Sequence, residues 1–259
     1  GKLILQAGFP PGVVNIISGA AQAGRTLTEH PGVDKVSFTG SVNVGRIVMQ
    51  QAAAGLRSVV LELGGKSAAL MLPGVDYEKY ALWLHARYAR NAGQGCGATT
   101  RILVPRNLYD DYGSAAKAFI DTMVVGSAWD EATQVGPLIR ADHRDRVEAY
   151  VTRAVDAGAT VIAGGGRPDI ADGFYLNPAL VGNVRSGDEI CQEELFGPVA
   201  VLLPYDDIED AADERRGKPA IHLLWGEDTA INCASWLYFQ AQAVIDAYPC
   251  ADALKLRLY

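Results

Sequence analysis

Cysteine is scarce in this chain. The four present, Cys96, Cys191, Cys233 and Cys250, show no Cys-x-x-Cys spacing and no neighbouring histidine cluster. Neither a zinc site nor a disulfide framework is therefore expected, and any special cysteine is expected to serve as a thiolate nucleophile. Long apolar runs are missing too. No stretch approaches the roughly 20 apolar residues that cross a bilayer, and the opening Gly1-Lys2-Leu3-Ile4-Leu5-Gln6 is too short for a secretory signal and has no cleavage region. No membrane association is expected, and the cytosol is the expected compartment. Positive charge is in deficit, with 23 Lys and Arg against 30 Asp and Glu, a net charge of -7 and no basic run. Such a surface repels a phosphate backbone, which argues against nucleic acid as a partner.

What is present is a globular composition, 49% apolar and 20% charged over 259 residues, enough for one large core or two modest ones. Short β-branched runs at 13–18, 35–39 and 58–63 alternate with helical stretches at 20–29 and 42–54. That alternation predicts βαβ units around a parallel sheet. Breakers fall where such units turn, at Pro10-Pro11-Gly12, His30-Pro31-Gly32 and Gly64-Gly65. Beyond them the pattern predicts strands at 67–72, 101–104, 160–163 and 199–203, and helices at 76–90, 107–123 and 142–157. In the last helix Val147, Val151 and Ala154 repeat at i, i+4, i+7, and Gly158 ends it. The character changes after about Ala211. A charged stretch precedes a tail without clear periodicity that holds two of the four Trp, and its last six residues, 254–259, alternate like an edge strand.

Three segments carry chemistry. In Phe38-Thr39-Gly40-Ser41-Val42-Asn43-Val44-Gly45 a strand runs through Gly40-Ser41 into a helix. Backbone N–H groups at a helix start, a hydroxyl beside them and no side chain on Gly40 suit a pyrophosphate, although a tight turn with Ser41 as N-cap has the same pattern. The segment is not a Walker A loop, because Gly45 is followed by Arg46-Ile47. Gly64-Gly65-Lys66-Ser67 is not one either, because Val60 stands where its first glycine belongs. In Val59-Val60-Leu61-Glu62-Leu63-Gly64-Gly65-Lys66 a carboxylate interrupts an apolar strand. Burial raises a carboxyl pKa toward the range of a general base, and the glycines beside Glu62 allow close approach of backbone or ligand. A Glu at a sheet edge facing solvent is the plainer alternative. In Asn91-Ala92-Gly93-Gln94-Gly95-Cys96-Gly97-Ala98 small residues leave the Cys96 sulfur open, and adjacent N–H groups suit a thiolate or an oxyanion. Flanking glycines pack poorly in a core, which favours the nucleophile over a buried cysteine.

Together these segments resemble the aldehyde dehydrogenase superfamily. The resemblance rests on Ala7-Gly8-Phe9-Pro10-Pro11-Gly12-Val13-Val14-Asn15, Phe38-Thr39-Gly40-Ser41 with Gly45, Leu61-Glu62-Leu63-Gly64-Gly65-Lys66-Ser67, Gly93-Gln94-Gly95-Cys96, and Glu193-Glu194-Leu195-Phe196-Gly197-Pro198-Val199, in the family's order. The separation of 34 residues from Glu62 to Cys96 also matches the family's spacing. The resemblance implies an α/β fold. A partial Rossmann-like cofactor domain at 1–63 would join an α/β catalytic domain at 64–211, followed by a tail at 212–259 that carries no resemblance. It implies an oxidoreductase that converts an aldehyde to a carboxylic acid with NAD or NADP. Cys96 would be the nucleophile and Glu62 the base that activates water. Ser41 would meet the pyrophosphate, and Pro10, Gly40 and Gly45 would line the adenine side. Leu63 also belongs to the cofactor site. Glu194 would bond the nicotinamide ribose, and Phe196 would pack near the nicotinamide. The partner implied is a small-molecule aldehyde, with no metal.

The family's earlier cofactor-domain strands, its adenosine-ribose lysine and its oxyanion asparagine have no counterpart in this sequence, and neither does its C-terminal segment. The expectation is a fragment incomplete at both ends. Members of the family are homo-oligomers, but the subunit-joining strand is among the parts not found. Two alternatives stand beside the main reading. In a CoA-acylating semialdehyde dehydrogenase, CoA would replace water, and Glu62 argues against it. The other is a catalytically inactive or scaffold protein of the same fold.

Overall fold

The computed structural model describes residues 1–206 and two short strands beyond them, Glu214–Arg215 and Lys218–Pro219, which pair antiparallel. The rest of the tail expected at 212–259, including the edge strand at 254–259, lies outside the described residues. The chain divides into two units, Gly1–Gly65 and a second beginning at Lys66.

The first unit contains α1 (Lys2–Gln6), α2 (Ala21–Glu29), β1 (Lys35–Gly40), α3 (Val42–Ala54) and β2 (Ser58–Leu63). β1 and β2 run parallel, with Lys35 opposite Ser58 and Gly40 opposite Leu63. Parallel neighbours need a crossover, and α3 supplies it. This helix buries Gly45, Val48 and Ala52 at i, i+3, i+7. Gly45 allows the close approach, because a Cβ there would lie 2.6 Å from Cδ2 of Leu63. The strand expected at 13–18 does not form: these residues make a bend followed by unpaired backbone, and Val13, Val14, Ile16 and Ile17 are exposed. β-Branched composition favours a strand only where a neighbour pairs with it and covers a face. No strand pairs with this segment among the described residues.

The second unit contains β3 (Ser67–Leu70), α4 (Tyr77–Ala89), β4 (Thr99–Pro105), α5 (Tyr109–Ile120), α6 (Ala141–Asp156), β5 (Thr160–Gly164), β6 (Ala179–Gly182), α7 (Glu189–Gln192) and β7 (Val199–Tyr205). Its sheet has the order β3-β4-β7-β6-β5, parallel except where β5 meets β6. β6 and α7, which have no marked pattern in the sequence, are additions to the predicted elements. In the centre, Val199, Ala200, Val201, Leu202 and Leu203 are all buried, as a parallel strand covered on both faces requires. Leu202 meets Gly113 of α5. Val199, on the opposite pleat, shares a cleft with Val147 and Val151 of α6. Helices thus cover both faces of the sheet, giving an α/β fold. No described helix is long and apolar enough to cross a membrane.

α4 buries Ala81, Leu84, His85, Tyr88 and Ala89, one face of a helix. Asp76 caps its start by accepting the Lys79 N–H at 3.1 Å. His85 is fully buried with Nδ1 unpartnered, and its Nε2 lies 3.3 Å from the Tyr112 hydroxyl of α5. The ring of Tyr88 packs edge-on against it, and the Tyr88 hydroxyl donates to the Ala179 carbonyl at 3.1 Å. Burial lowers the His85 pKa from 6.5 to about 3. The folded state therefore resists a proton that the unfolded chain accepts below pH 6.5. Stability contributed by neutral His85 is complete above that pH and is lost progressively toward pH 3, at up to about 1.4 kcal/mol per unit. Urea unfolding between pH 7 and pH 5 is expected to show this decline, and His85→Phe to flatten it by about one proton. An unchanged slope in the variant refutes the assignment.

Candidate active site

Cys96 sits in a turn closed by the Ala98 N–H donating to the Gly95 carbonyl at 3.1 Å, and its side chain is exposed. The approach to this turn has unusual backbone: Asn91, Ala92 and Gly93 have φ of 54°, 52° and 72°. Asparagine tolerates this left-handed region because its side chain bonds locally, and here Asn91 Nδ2 donates to the Gln94 carbonyl at 2.8 Å. Ala92 has no such help and is buried, a conformation costing about 1–2 kcal/mol. The surroundings hold it. Gln94 Nε2 donates to the carbonyls of Asn91 and Pro137 at 3.0 and 3.3 Å, and Gln94 Oε1 accepts the Ile139 N–H at 2.9 Å. A Cβ on Gly93 would overlap the backbone of Gly197 and Pro198.

The segment that Gly93 touches carries Glu194 and Phe196. Phe196 is exposed and has φ of 56°, and Glu194 is partly buried. The carbonyls of this turn are held from α6. Arg146 Nη2 donates to Leu195 O at 2.8 Å, and His143 Nε2 lies 2.7 Å from Phe196 O. Arg146 Nη2 is also 3.4 Å from His143 Nδ1. Arginine can only donate, so Nδ1 accepts and the proton on Nε2 points at Phe196 O. Gly197 packs on the same helix, where a Cβ would stand 2.7 Å from Cγ1 of Val147.

Arg101 Nε donates to the Lys66 carbonyl at 3.0 Å beside this turn. Burial pushes the Lys66 ammonium down to about 8, with Arg101 adding to the shift and Cys191, Glu194 and Glu193 opposing it. Burial also pushes the Cys191 thiol up to about 11. Of the two described cysteines, Cys191 is sealed and held protonated while Cys96 is open to solvent.

The other expected site residues lie in the first unit. Gly40, Ser41, Gly45 and Leu63 come together where β1 and β2 end and α3 begins, and Glu62 stands opposite Thr39 there. Gly40 lies beside the Phe38 ring, whose Cζ would stand 2.5 Å from an added Cβ. The Ser41 hydroxyl caps α3, accepting the Val44 N–H at 3.4 Å. Pro10 belongs to a separate turn in which its carbonyl accepts the Val13 N–H at 3.3 Å. The expectation of a buried Glu62 is corrected. Alternation along β2 puts Val60 and Glu62 on the exposed face and Val59, Leu61 and Leu63 on the covered one. Gln94, His143 and Arg146 were not singled out by the sequence reading. The left-handed Gly93 had a signal in its glycine-rich motif, whereas His143 and Arg146 are visible only once α6 is placed. A cleft of about 770 Å³ at the carboxyl ends of β4 and β7, near Arg106 and Arg185, contains none of the expected site residues.

Residues 1–215 match the aldehyde dehydrogenase family. The chain belongs to that family. Among curated relatives, geranial dehydrogenase of Castellaniella defragrans is 40% identical over 208 residues, 80% of this chain and 43% of the relative. The 2-hydroxymuconic semialdehyde dehydrogenase of Pseudomonas sp. is 35% identical, with 89% of this chain and 49% of that protein covered. The Mycobacterium tuberculosis aldehyde dehydrogenase solved with NAD+ is 42% identical with a TM-score of 0.79, covering 82% of this chain and 44% of that one. A Pseudomonas syringae aldehyde dehydrogenase mutant solved with NAD+ and octanal is 37% identical, with a TM-score of 0.79, and the match covers 82% of this chain and 44% of that one. The chain spans under half the length of these relatives. Residues 199–257 also match the polyprenyl synthetase family, so part of the tail does have a family resemblance of its own.

Within this aldehyde dehydrogenase chain, Gly93 and Gly95 flank Gln94 under different constraints. Gly93→Ala meets both the positive φ and the Gly197 backbone, and is expected to destabilise the second unit by more than about 2 kcal/mol. Gly95→Ala meets open space and is expected to be neutral or stabilising by up to about 1 kcal/mol. Urea unfolding of the two variants tests this, and equal midpoints refute it.

Proposed function

We propose that this chain supplies the nucleophile, the general base and part of the cofactor site for oxidation of a small-molecule aldehyde to a carboxylic acid. The observation that carries this is the contrast between the two described thiols. Cys96 is open on a turn braced against the segment of Glu194 and Phe196, while Cys191 is buried. In the domain roles we assign, residues 1–63 belong to the dinucleotide-binding part and 64–211 to the catalytic part. Each part has features that fit a dinucleotide: in one a helix start beside Gly40, which carries no side chain, and in the other a part-buried carboxylate next to an exposed aromatic ring.

The Cys96 thiolate attacks the aldehyde carbon and forms a thiohemiacetal. Adjacent backbone N–H groups suit the oxyanion that forms. When bound, NAD or NADP supplies the acceptor for the hydride that leaves that carbon. The resulting thioester on Cys96 is attacked by a water whose proton Glu62 takes, releasing the acid and restoring the thiolate. Exposure gives the Glu62 carboxylate direct access to water. Ser41 meets the pyrophosphate, Pro10, Gly40 and Gly45 line the adenine side, Leu63 borders the same nucleotide, and Glu194 and Phe196 hold its nicotinamide end. Reduced thiols suit the cytosol, where we place the protein.

Formation of NAD(P)H from a panel of aldehydes, measured on protein containing this chain, tests the reading. Cys96→Ala is expected to abolish turnover. Glu62→Gln is expected to slow it roughly 100-fold, with an acyl-enzyme accumulating in intact mass spectra. In the native chain, iodoacetamide is expected to label Cys96 at least about 10-fold faster than Cys191. Turnover without Cys96 overturns the nucleophile, and failure of Glu62→Gln to accumulate acyl-enzyme overturns the base.

A further inference from the structure

We infer that His143 and Arg146 of α6 are positioning residues that set the cofactor turn and the nucleophile loop as one mechanical unit. The inference rests on the proposed roles of Cys96, Glu194 and Phe196. Two carbonyls in succession, Leu195 O and Phe196 O, are taken by Arg146 at 2.8 Å and by His143 at 2.7 Å. They flank the left-handed Phe196, a conformation that a non-glycine residue keeps only where its surroundings impose it. The two side chains also fix one another through the contact of 3.4 Å between Arg146 Nη2 and His143 Nδ1, and the His143 ring stands edge-on to Phe196 with centroids 6.4 Å apart.

The next residue transmits this placement. Gly197 lies against Val147 on one side, and its backbone leaves no space for a Cβ on Gly93 on the other. From Gly93 the chain enters Gln94, whose side chain is tied to Pro137 and Ile139, the segment that leads back into α6. The contacts therefore close a ring from α6 through the Phe196 turn, Gly93 and Gln94 to the approach of α6. Loosening the ring at α6 should release both sides, because Phe196 in the turn and Ala92 in the loop are each held in a left-handed conformation that their own side chains disfavour.

Hydrogen exchange on the whole chain tests this without cofactor or aldehyde, so its outcome is separate from whether the chain oxidises an aldehyde. His143→Ala and Arg146→Ala are each expected to lower protection at least 10-fold at Val199, whose N–H bonds Gly197 O, and also at Gln94 and Ala98, whose N–H groups bond Asn91 O and Gly95 O. Amides of Ile102, Leu103 and Val104 in β4 are expected to keep theirs. His143→Gln can donate to the same carbonyl and Arg146→Lys can reach its own, so both are expected to recover most of the protection. Loss confined to Val199, no loss in either alanine variant, or equal loss in β4 overturns the inference.

Discussion

The backbone contact between Gly93 and Gly197 is the constraint on which the arrangement of the second unit's reactive residues depends. Two polypeptide segments, far apart in sequence, meet where neither has room for a side chain. Such closeness is available only to glycine, and at Gly93 the positive φ adds a second reason for it. The contact costs conformational entropy and leaves Ala92 and Phe196 in unfavourable conformations. These are offset by hydrogen bonds from Asn91, Gln94, His143 and Arg146, which between them take the carbonyls of Gln94, Asn91, Pro137, Phe196 and Leu195. The result is a thiol whose position is set by backbone, with no need for packing around the sulfur itself.

The sheet explains why those segments meet at all. β7 is central and buried on both faces, so its start at Val199 is fixed by the β4 and β6 ladders on either side. The Glu194 to Pro198 segment leads directly into it, while the Cys96 turn leads into β4, the immediate neighbour of β7. Both chemistry-bearing segments therefore enter adjacent parallel strands at the same end of the sheet, and α6 covers the β7 side through Val147. Register is set here by the backbone pairing of both ladders, with Arg101 opposite Val201 and Ala179 opposite Val199. The two ladders therefore fix where β7 starts relative to β4, and with it the segment of Phe196 relative to the turn of Cys96.

Much of this was legible from residue order. The strand and helix periods of β1, α3, β2, α4 and α6 stand in the sequence, because each depends on which face of one local element is buried. Cys96 was recognisable for a different reason, the glycines that surround a reactive side chain, whereas Glu194 and Phe196 stood out only through the resemblance to the family. Three things were not legible. The apolar run at 13–18 satisfies every local rule for a strand, and only the absence of a described pairing partner decides otherwise. Glu62 looked buried because its neighbours are apolar, but alternation in a two-stranded sheet leaves one face open. His143 and Arg146 look like surface charges on an amphipathic helix, and their carbonyl partners lie about 50 residues later.

The two units differ in how completely they satisfy themselves, and this bears on where chemistry can be precise. In the first, only Val36, Val48 and Ala52 are buried hydrophobics, while Val13, Val14, Ile16, Ile17 and Val60 face solvent. Its local order at Gly40, Ser41 and Gly45 rests on one crossover and one capping bond of 3.4 Å. At about 25 cal/mol per Å² of buried apolar surface, so small a core contributes little against the entropy of ordering the segment. The second unit has a continuous core through α4, α5, β4, β6 and β7. A nucleophile must be held within a few tenths of an ångström to react efficiently, whereas a pyrophosphate gripped by several backbone N–H groups tolerates more play. Under the roles proposed above, Cys96 stands in the unit whose continuous core can hold a side chain to that tolerance.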